Sequence, residues 1–131
     1  MSLENYEVNS GAGHGGQIYK STFLSKDKAF GVLIKGIHTD IAIKSYRNRA
    51  LLIVSQFEKF GSIITVTREE SAKSDVYTVK TILGKDDDQT HVAARYIAEQ
   101  ISIEKPLLLS ICLKDYGIDT LKLIVAAIKK A

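Results

Sequence analysis

Short runs of apolar and β-branched residues, separated by turn-forming residues, dominate the middle of the chain. The runs are Phe30 to Lys35, Thr39 to Tyr46, Ala50 to Phe57, Ser62 to Thr67 and Val76 to Leu83. Their length and composition are typical of β-strands. Residues that tolerate a positive φ, Gly36, Asn48 and Gly61, fall between runs, where tight turns need them. This part of the chain predicts five strands in a mostly antiparallel meander.

A helix is predicted after the fifth strand. Carboxylates at Asp86 to Asp88 can cap the free N–H groups of a first helical turn. Apolar and long side chains then recur at helical spacing until Pro106 ends the pattern. The positions expected to face inward are Val92, Tyr96, Ile97, Gln100 and Ile101.

One more strand and one more helix complete the predicted order. Leu107 to Leu113 is a continuous apolar run that is too short for a helix, so it predicts a buried sixth strand. Gly117 is the expected N-cap of the last helix, which is predicted to turn four side chains inward. These are Ile118, Leu121, Val125 and Ile128.

The predicted fold class is α+β, a single domain in which a mostly antiparallel six-stranded sheet carries both helices on one face. Successive side chains of a strand point to opposite faces, so Leu51 and Ile53 face away from Leu52 and Val54. Both faces are therefore apolar, and two helices can cover only one of them. We expect the domain to dimerise through the other face, where Leu108 lies.

Residues 1–27 are polar and then glycine-rich, which predicts a flexible tail with a possible extra strand at Gln17 to Leu24. The folded domain is expected to span residues 28–131. Gly11 to Gly16 matches the letters of a dinucleotide-binding loop, but it follows a polar segment and opens no helix. We expect no cofactor there.

Composition narrows the classes of function. The chain has 131 residues, of which 45% are hydrophobic and 25% charged, and its net charge is only +3. Basic residues are scattered among acidic ones, which argues against nucleic-acid binding. No apolar run is long enough to cross a bilayer, and the first residues do not resemble a signal peptide. With one cysteine, Cys112, we expect a cytoplasmic protein that could also reside in the nucleus.

Candidate catalytic and metal-binding residues have ordinary structural explanations. Cys112 is expected to pack inside an apolar strand, where its thiol would be a poor nucleophile. The histidines at 14, 38 and 91 are expected in a tail, a turn and a helix start, without metal-ligand spacing. Gln56 is harder to explain, since it ends an apolar strand. It can either satisfy backbone groups of the turn or contact a partner.

Several segments of the sequence match motifs of one known family in order and spacing. They are Ile37 to Ile41, Val54 to Ile63, Ser74 to Val76, Leu83 to Asp87 with His91-Val92, and Leu113 to Asp115. Val54 to Ile63 resembles the V-x-Q-x-x-K-x-G hairpin of proteasome-assembly chaperone 3. The resemblance to this family spans about residues 28 to 130.

The resemblance implies a chaperone without catalysis, cofactor or metal. Members of the family form a heterodimer with assembly chaperone 4 and promote the α-subunit ring of the proteasome core by binding α-subunits reversibly. A homodimer is possible when the chain is isolated. An alternative is a small dimeric scaffold of the profilin-like or roadblock-like kind, acting in trafficking or signalling complexes. The candidate partner-binding residues are Gln56, Phe57, Lys59, Phe60 and Leu108.

Overall fold

A computed structural model describes residues 27–57, 61–69 and 75–131. Six strands are present: β1 (Lys28–Ile34), β2 (Ile37–Ser45), β3 (Ala50–Gln56), β4 (Ser62–Glu69), β5 (Val76–Leu83) and β6 (Leu107–Cys112). Helix α1 (Asp88–Gln100) follows β5, and helix α2 (Ile118–Lys130) follows β6. This is the single-sheet α+β fold that the sequence predicts. The predicted tail and the strand at Gln17 to Leu24 lie outside the described residues.

The sheet is mixed, with strand order β1-β2-β3-β6-β4-β5. β6 lies between β3 and β4, parallel to β3 and antiparallel to β4, whereas the other pairs are antiparallel. The prediction of a five-stranded meander is therefore wrong, because β4 pairs with β6 instead of β3. The apolar run of β6 has the least contact with water when it occupies the centre of the sheet, where neighbours flank it on both sides.

The two faces of the sheet differ in cover. Register places Ile41, Val54 and Ile111 on the face that carries the helices, here called the helix face. These side chains and their neighbours on that face form the core, which includes the fully buried Leu52, Ile64 and Leu109. The alternate residues point to the opposite side, here called the open face, against which no described element packs.

Small side chains bring α1 close to the sheet. Its buried residues are Thr90, Ala93, Ala94, Ile97 and Ala98. The prediction that Val92 faces inward is wrong, since this side chain is 59% exposed. Alanine is a weak signal in an apolar sequence pattern, yet its small side chain lets a helix approach a sheet closely. The alanines of α1 therefore form the face that packs on the sheet.

Larger aliphatic side chains attach α2 to the sheet. Leu121, Ile124, Val125 and Ile128 are buried, whereas Ile118, predicted to face inward, is half exposed at the start of the helix. Neither helix, among the described residues, is long and apolar enough to cross a membrane.

Strand directions bring several chain segments to one end of the sheet. β1, β3, β5 and β6 run the same way, so their carboxyl ends meet at one edge, here called the upper edge, where both helices also begin. Hydrogen bonds connect the segments there. The backbone N–H of Lys114 donates to Gln56 Oε1 over 2.8 Å, and Ser62 Oγ donates to the carbonyl of Lys85 over 3.2 Å.

Gly61 marks the closest approach of two segments at the upper edge. A Cβ at this position would lie 2.2 Å from the carbonyl oxygen of Ile111 and 2.8 Å from Cys112 Cβ. Only a residue without a side chain lets the chain enter β4 so close to the end of β6.

We expect Gly61→Ala to lower the free energy of unfolding by about 1–3 kcal/mol, because backbone in the sheet centre must shift. Gly31→Ala is the matched control. Its added Cβ would meet only the ring of His38, at 2.7 Å, and that side chain is exposed and can move. Urea unfolding of both variants measures the difference. Equal stability of the two variants would contradict the close-packing argument.

Candidate protein-binding surface

An apolar row crosses the whole open face. Register places Ala29, Ala42, Ile53, Ser110, Ile63 and Leu83 side by side on successive strands. Ser110 is the only polar member, and its Oγ is buried without a hydrogen-bond partner. Ala42, Ile53 and Ser110 are buried, whereas Ala29 and Leu83, at the ends of the row, are exposed, so only part of this stripe is open to another protein.

A second row of the open face contains Leu108. Here Leu51 and Leu108 pair across β3 and β6, with Lys44 on one side and Thr65 and then Lys80 on the other. Both leucines are only half-buried. Lys44 Nζ lies 3.0 Å from Asp27 Oδ2. The row thus has an apolar centre and polar ends, the usual arrangement of a protein interface.

The third row carries further polar groups of this face. Asp40 and Ser55 align with Cys112, and His38 Nε2 lies 2.8 Å from Asp40 Oδ1. His38 was predicted in a turn, but it lies within β2 and is exposed. Cys112 was predicted to be buried, but it is only half-buried, at the end of β6.

Gln56 lies on the helix face and is 2% exposed. Its Nε2 donates to Thr39 Oγ1 over 3.0 Å, and its Oε1 accepts the hydrogen bond from the N–H of Lys114. Thr39 in turn donates to the carbonyl of Ile37 over 3.1 Å. Gln56 therefore joins β2, β3 and the start of the β6–α2 connection, which is the first of its two predicted explanations. Its contact with a partner stays a prediction.

Phe57, in contrast to Gln56, is exposed. It follows Gln56 directly, is 55% exposed, and has a φ of 63°. The candidate residues Lys59 and Phe60 lie outside the described residues. The structure therefore separates Phe57, at the upper edge, from Leu108, on the open face, and each stays a candidate for partner contact.

Two other matched motifs have local explanations in helix capping. Asp87 is the N-cap of α1 and accepts a hydrogen bond from the N–H of Thr90 over 2.8 Å. Gly117, the predicted N-cap of α2, has no side chain to cap with. Asp115 supplies the carboxylate, which accepts from the N–H of Gly117 over 2.8 Å and from Thr120 Oγ1 over 2.9 Å.

These hydrogen bonds lower the pKa of both carboxyl groups. For Asp87 the largest cause is the backbone hydrogen bond from Thr90, and for Asp115 it is the backbone hydrogen bond from Gly117. Hydrogen bonds to a carboxylate favour its charged form, so each aspartate stabilises the start of its helix most when it is ionised.

The histidine near the first cap lacks the geometry of a catalytic relay. His91 Nε2 lies 2.7 Å from Asp86 Oδ1 and 2.7 Å from Thr81 Oγ1. A relay needs the carboxylate on one ring nitrogen and the nucleophile on the other, whereas both groups here contact the same nitrogen. Within the described residues no group of three or more His, Cys, Asp or Glu side chains could hold a metal ion.

The chain matches a family of known proteins. Residues 52–131 match the family model described as Proteasome assembly chaperone 3. A protein of that name from Nematostella vectensis is 33% identical over 110 residues, covering 74% of this chain and 82% of the relative. The human protein of the same name is 29% identical over 106 residues, covering 76% of this chain and 84% of that relative.

A solved structure shares the fold. It is a chain from the crystal structure of a chaperone complex for yeast 20S proteasome assembly, with a TM-score of 0.64 and 18% sequence identity. The similarity covers 79% of this chain and 95% of that chain.

We expect acid to weaken the folded state through the two caps. A lowered pKa contributes stability that is present above the ordinary aspartate value of 3.8 and is lost as the pH falls through the folded-state value. The variant Asp87→Asn/Asp115→Asn keeps the acceptor oxygens but cannot titrate. Its free energy of unfolding should therefore fall less between about pH 4 and pH 2 than that of the wild type.

Urea unfolding at several pH values measures this slope. Asp119→Asn is the control, because it removes a carboxylate from the first turn of α2 without changing either cap. If the double variant and the wild type lost stability in parallel, the caps would not be the acid-sensitive element.

We expect Gln56→Ala to lower the free energy of unfolding by about 1–3 kcal/mol, because it leaves the N–H of Lys114 without its acceptor. Gln89→Ala is the control, since Gln89 is exposed on α1. Thermal and urea unfolding compare the two variants. A Gln56→Ala protein as stable as the control would show that these buried hydrogen bonds contribute no net stability.

Proposed function

This chain belongs to the proteasome assembly chaperone 3 family, and we propose that it promotes formation of the α-subunit ring of the proteasome core. In this proposal it forms a heterodimer with assembly chaperone 4 and binds α-subunits reversibly. Family membership favours this activity over a profilin-like or roadblock-like scaffold.

The observation that carries the proposal is the open face of the sheet. Its apolar row and the pair Leu51 and Leu108 form an apolar area against which no described helix or strand packs. A stable interface usually buries about 1,600 Å² in total. The sister chaperone is the partner that the family supplies, and a second sheet packed about 10 Å away would bury the same rows.

Reversible binding is sufficient for the proposed activity. An incomplete ring needs its subunits held in register until later subunits compete for the same area, and such release requires no bond chemistry. The half-exposed single cysteine, Cys112, is typical of a protein of a reducing compartment. We propose the cytoplasm as the location of the protein, with the nucleus as a second location.

We expect Leu108→Glu to weaken binding to purified assembly chaperone 4 by about a hundredfold or more, since an unpaired carboxylate would be buried at the interface. On a face exposed to water the same change should leave the folded monomer intact. Leu123→Glu is the matched control, because Leu123 is an exposed leucine on α2, on the other side of the sheet. Titration calorimetry with the purified partner measures both affinities.

Two outcomes would contradict the proposal at different levels. Wild-type affinity of a folded Leu108→Glu protein would show that the open face is not the heterodimer surface. If the wild-type protein bound neither purified assembly chaperone 4 nor purified α-subunits, the chaperone function itself would be refuted.

A further inference from the structure

The two ends of the sheet carry opposite charge. The end opposite the upper edge, here called the lower edge, holds the first residues of β1, β3 and β6 and the last residues of β2 and of both helices. Basic side chains gather there on the β1 side of β6: Lys28, Lys44, Arg47, Arg49, Lys105 and Lys130. The upper edge instead carries acidic side chains: Asp86, Asp87, Asp88, Asp115 and Asp119. The basic residues are scattered along the sequence, and the fold brings them to one edge.

Acidic side chains balance only part of the positive charge of the lower edge. Asp27 Oδ2 lies 3.0 Å from Lys44 Nζ, and Glu104 is the other acidic residue on this side of β6 within the described chain. Neither Arg47 nor Arg49 forms an ion pair with a described residue. The exposed positive charge is therefore concentrated at the connection between β2 and β3.

That connection, here called the basic turn, consists of Tyr46, Arg47, Asn48 and Arg49. All four residues are exposed, and Tyr46 is 45% exposed. Tyrosine and arginine are among the residues that most often dominate the binding energy of protein interfaces. An arginine fork can also bind both oxygens of one carboxylate. The composition of the basic turn thus suits contact with an acidic protein surface.

Hydrogen bonds fix the shape of the basic turn. The N–H of Tyr46 donates to the carbonyl of Arg49 over 2.9 Å, which closes the turn. Lys105 Nζ donates to the carbonyl of Tyr46 over 2.5 Å, and the N–H of Ala50 donates to the carbonyl of Pro106 over 2.9 Å. Both ends of the turn are therefore attached to the α1–β6 connection. A turn held in one shape loses less conformational entropy when a partner binds.

The chemistry of the basic turn differs from that of the open face. The open face has an apolar centre with Leu51 and Leu108, which suits a lasting association such as the proposed heterodimer. Exposed charges instead speed association and contribute less to lasting affinity. This second kind of contact suits a partner that must leave again, as an α-subunit does when the ring is complete.

A nucleic acid is a poorer fit for the same charges. Proteins that bind single strands combine a basic groove with several aromatic rings on which successive bases stack. Tyr46 is the single aromatic residue of the basic turn. Charge complementarity and composition together therefore favour an acidic protein surface.

We propose that the basic turn is the surface by which this protein binds an acidic patch of a proteasome α-subunit, with Arg47 and Arg49 contacting its carboxylates. This inference rests on the proposed chaperone function and adds to it the surface and the charge of the second partner. Lys105 is a positioning residue that holds the turn.

The test uses the heterodimer of the full chain with assembly chaperone 4 and titrates each purified α-subunit in turn. Arg47→Glu/Arg49→Glu should bind the α-subunit about tenfold or more weakly at about 0.1 M salt. The difference should shrink to about threefold or less at about 1 M salt, because the screening length falls from about 10 Å to about 3 Å. Affinity for assembly chaperone 4 should not change. Both positions are exposed, so the thermal midpoint should stay within about 3 °C of the wild type.

Lys35→Glu/Lys114→Glu is the matched control. It changes the net charge by the same amount, also at two exposed positions, but at the upper edge. This variant should bind the α-subunit with wild-type affinity. An oligouridylate of about 16 nucleotides serves as the nucleic-acid probe, and it should bind the wild type more weakly than the α-subunit does.

The outcomes separate this inference from the function on which it rests. If the wild type binds an α-subunit and Arg47→Glu/Arg49→Glu binds it equally well, the basic turn is not the docking surface. The inference is also overturned if both charge-reversal variants lose the α-subunit equally, if assembly chaperone 4 is lost to the same extent, or if the oligouridylate binds more tightly than the α-subunit. If the wild type binds no α-subunit at all, the proposed function fails and the inference fails with it.

Discussion

The parallel pairing of β3 with β6 is the constraint on which the rest of the structure depends. The pairing runs from Ala50 opposite Leu107 to Ser55 opposite Cys112. Parallel neighbours need a long crossover, and here β4, β5 and α1 lie between the two strands in sequence. The same pairing brings Gln56 beside Lys114, and the antiparallel pairing of β4 with β6 makes Gly61 meet Ile111. The hydrogen bonds, the glycine and the start of α2 are thus consequences of one strand insertion.

A simple estimate of width explains why the sheet keeps one face open. Six strands about 4.8 Å apart extend over roughly 24 Å, and two packed helices, each about 10 Å across, cover most of that width once. α1 packs over β4 and β5, and α2 lies beside α1 and reaches β1. No further described element remains for the other face. A partner bound to that face would remove the exposed members of its apolar rows from water.

Much of the fold could be predicted because the two-residue alternation of strands and the 3.6-residue repeat of helices are local signals in the sequence. The strand pairing could not, since alternation records which face a residue occupies and not which strand lies beside it. One signal was available: Leu107 to Leu113 is apolar on both faces, as expected of a central strand with a parallel neighbour. The predicted buried face of α1 was wrong at Val92, because alanines, not large aliphatic residues, pack against the sheet. The positive φ of Phe57 could not be predicted either, since bulky residues rarely adopt it.

The unpaired side of the edge strand β5 affects how a partner can bind to the sheet. Thr65 Oγ1 on β4 donates to the carbonyl of Lys80 over 3.4 Å, so that carbonyl points toward β4. Alternate residues of an antiparallel edge strand point their backbone groups the other way, which places the carbonyl of Tyr77 on the free edge of β5. Arg95 Nε, from α1, donates to this carbonyl over 3.4 Å. A side chain that occupies an edge acceptor opposes the addition of another strand. Association through the open face, with its apolar rows, is therefore favoured over extension of the sheet at β5.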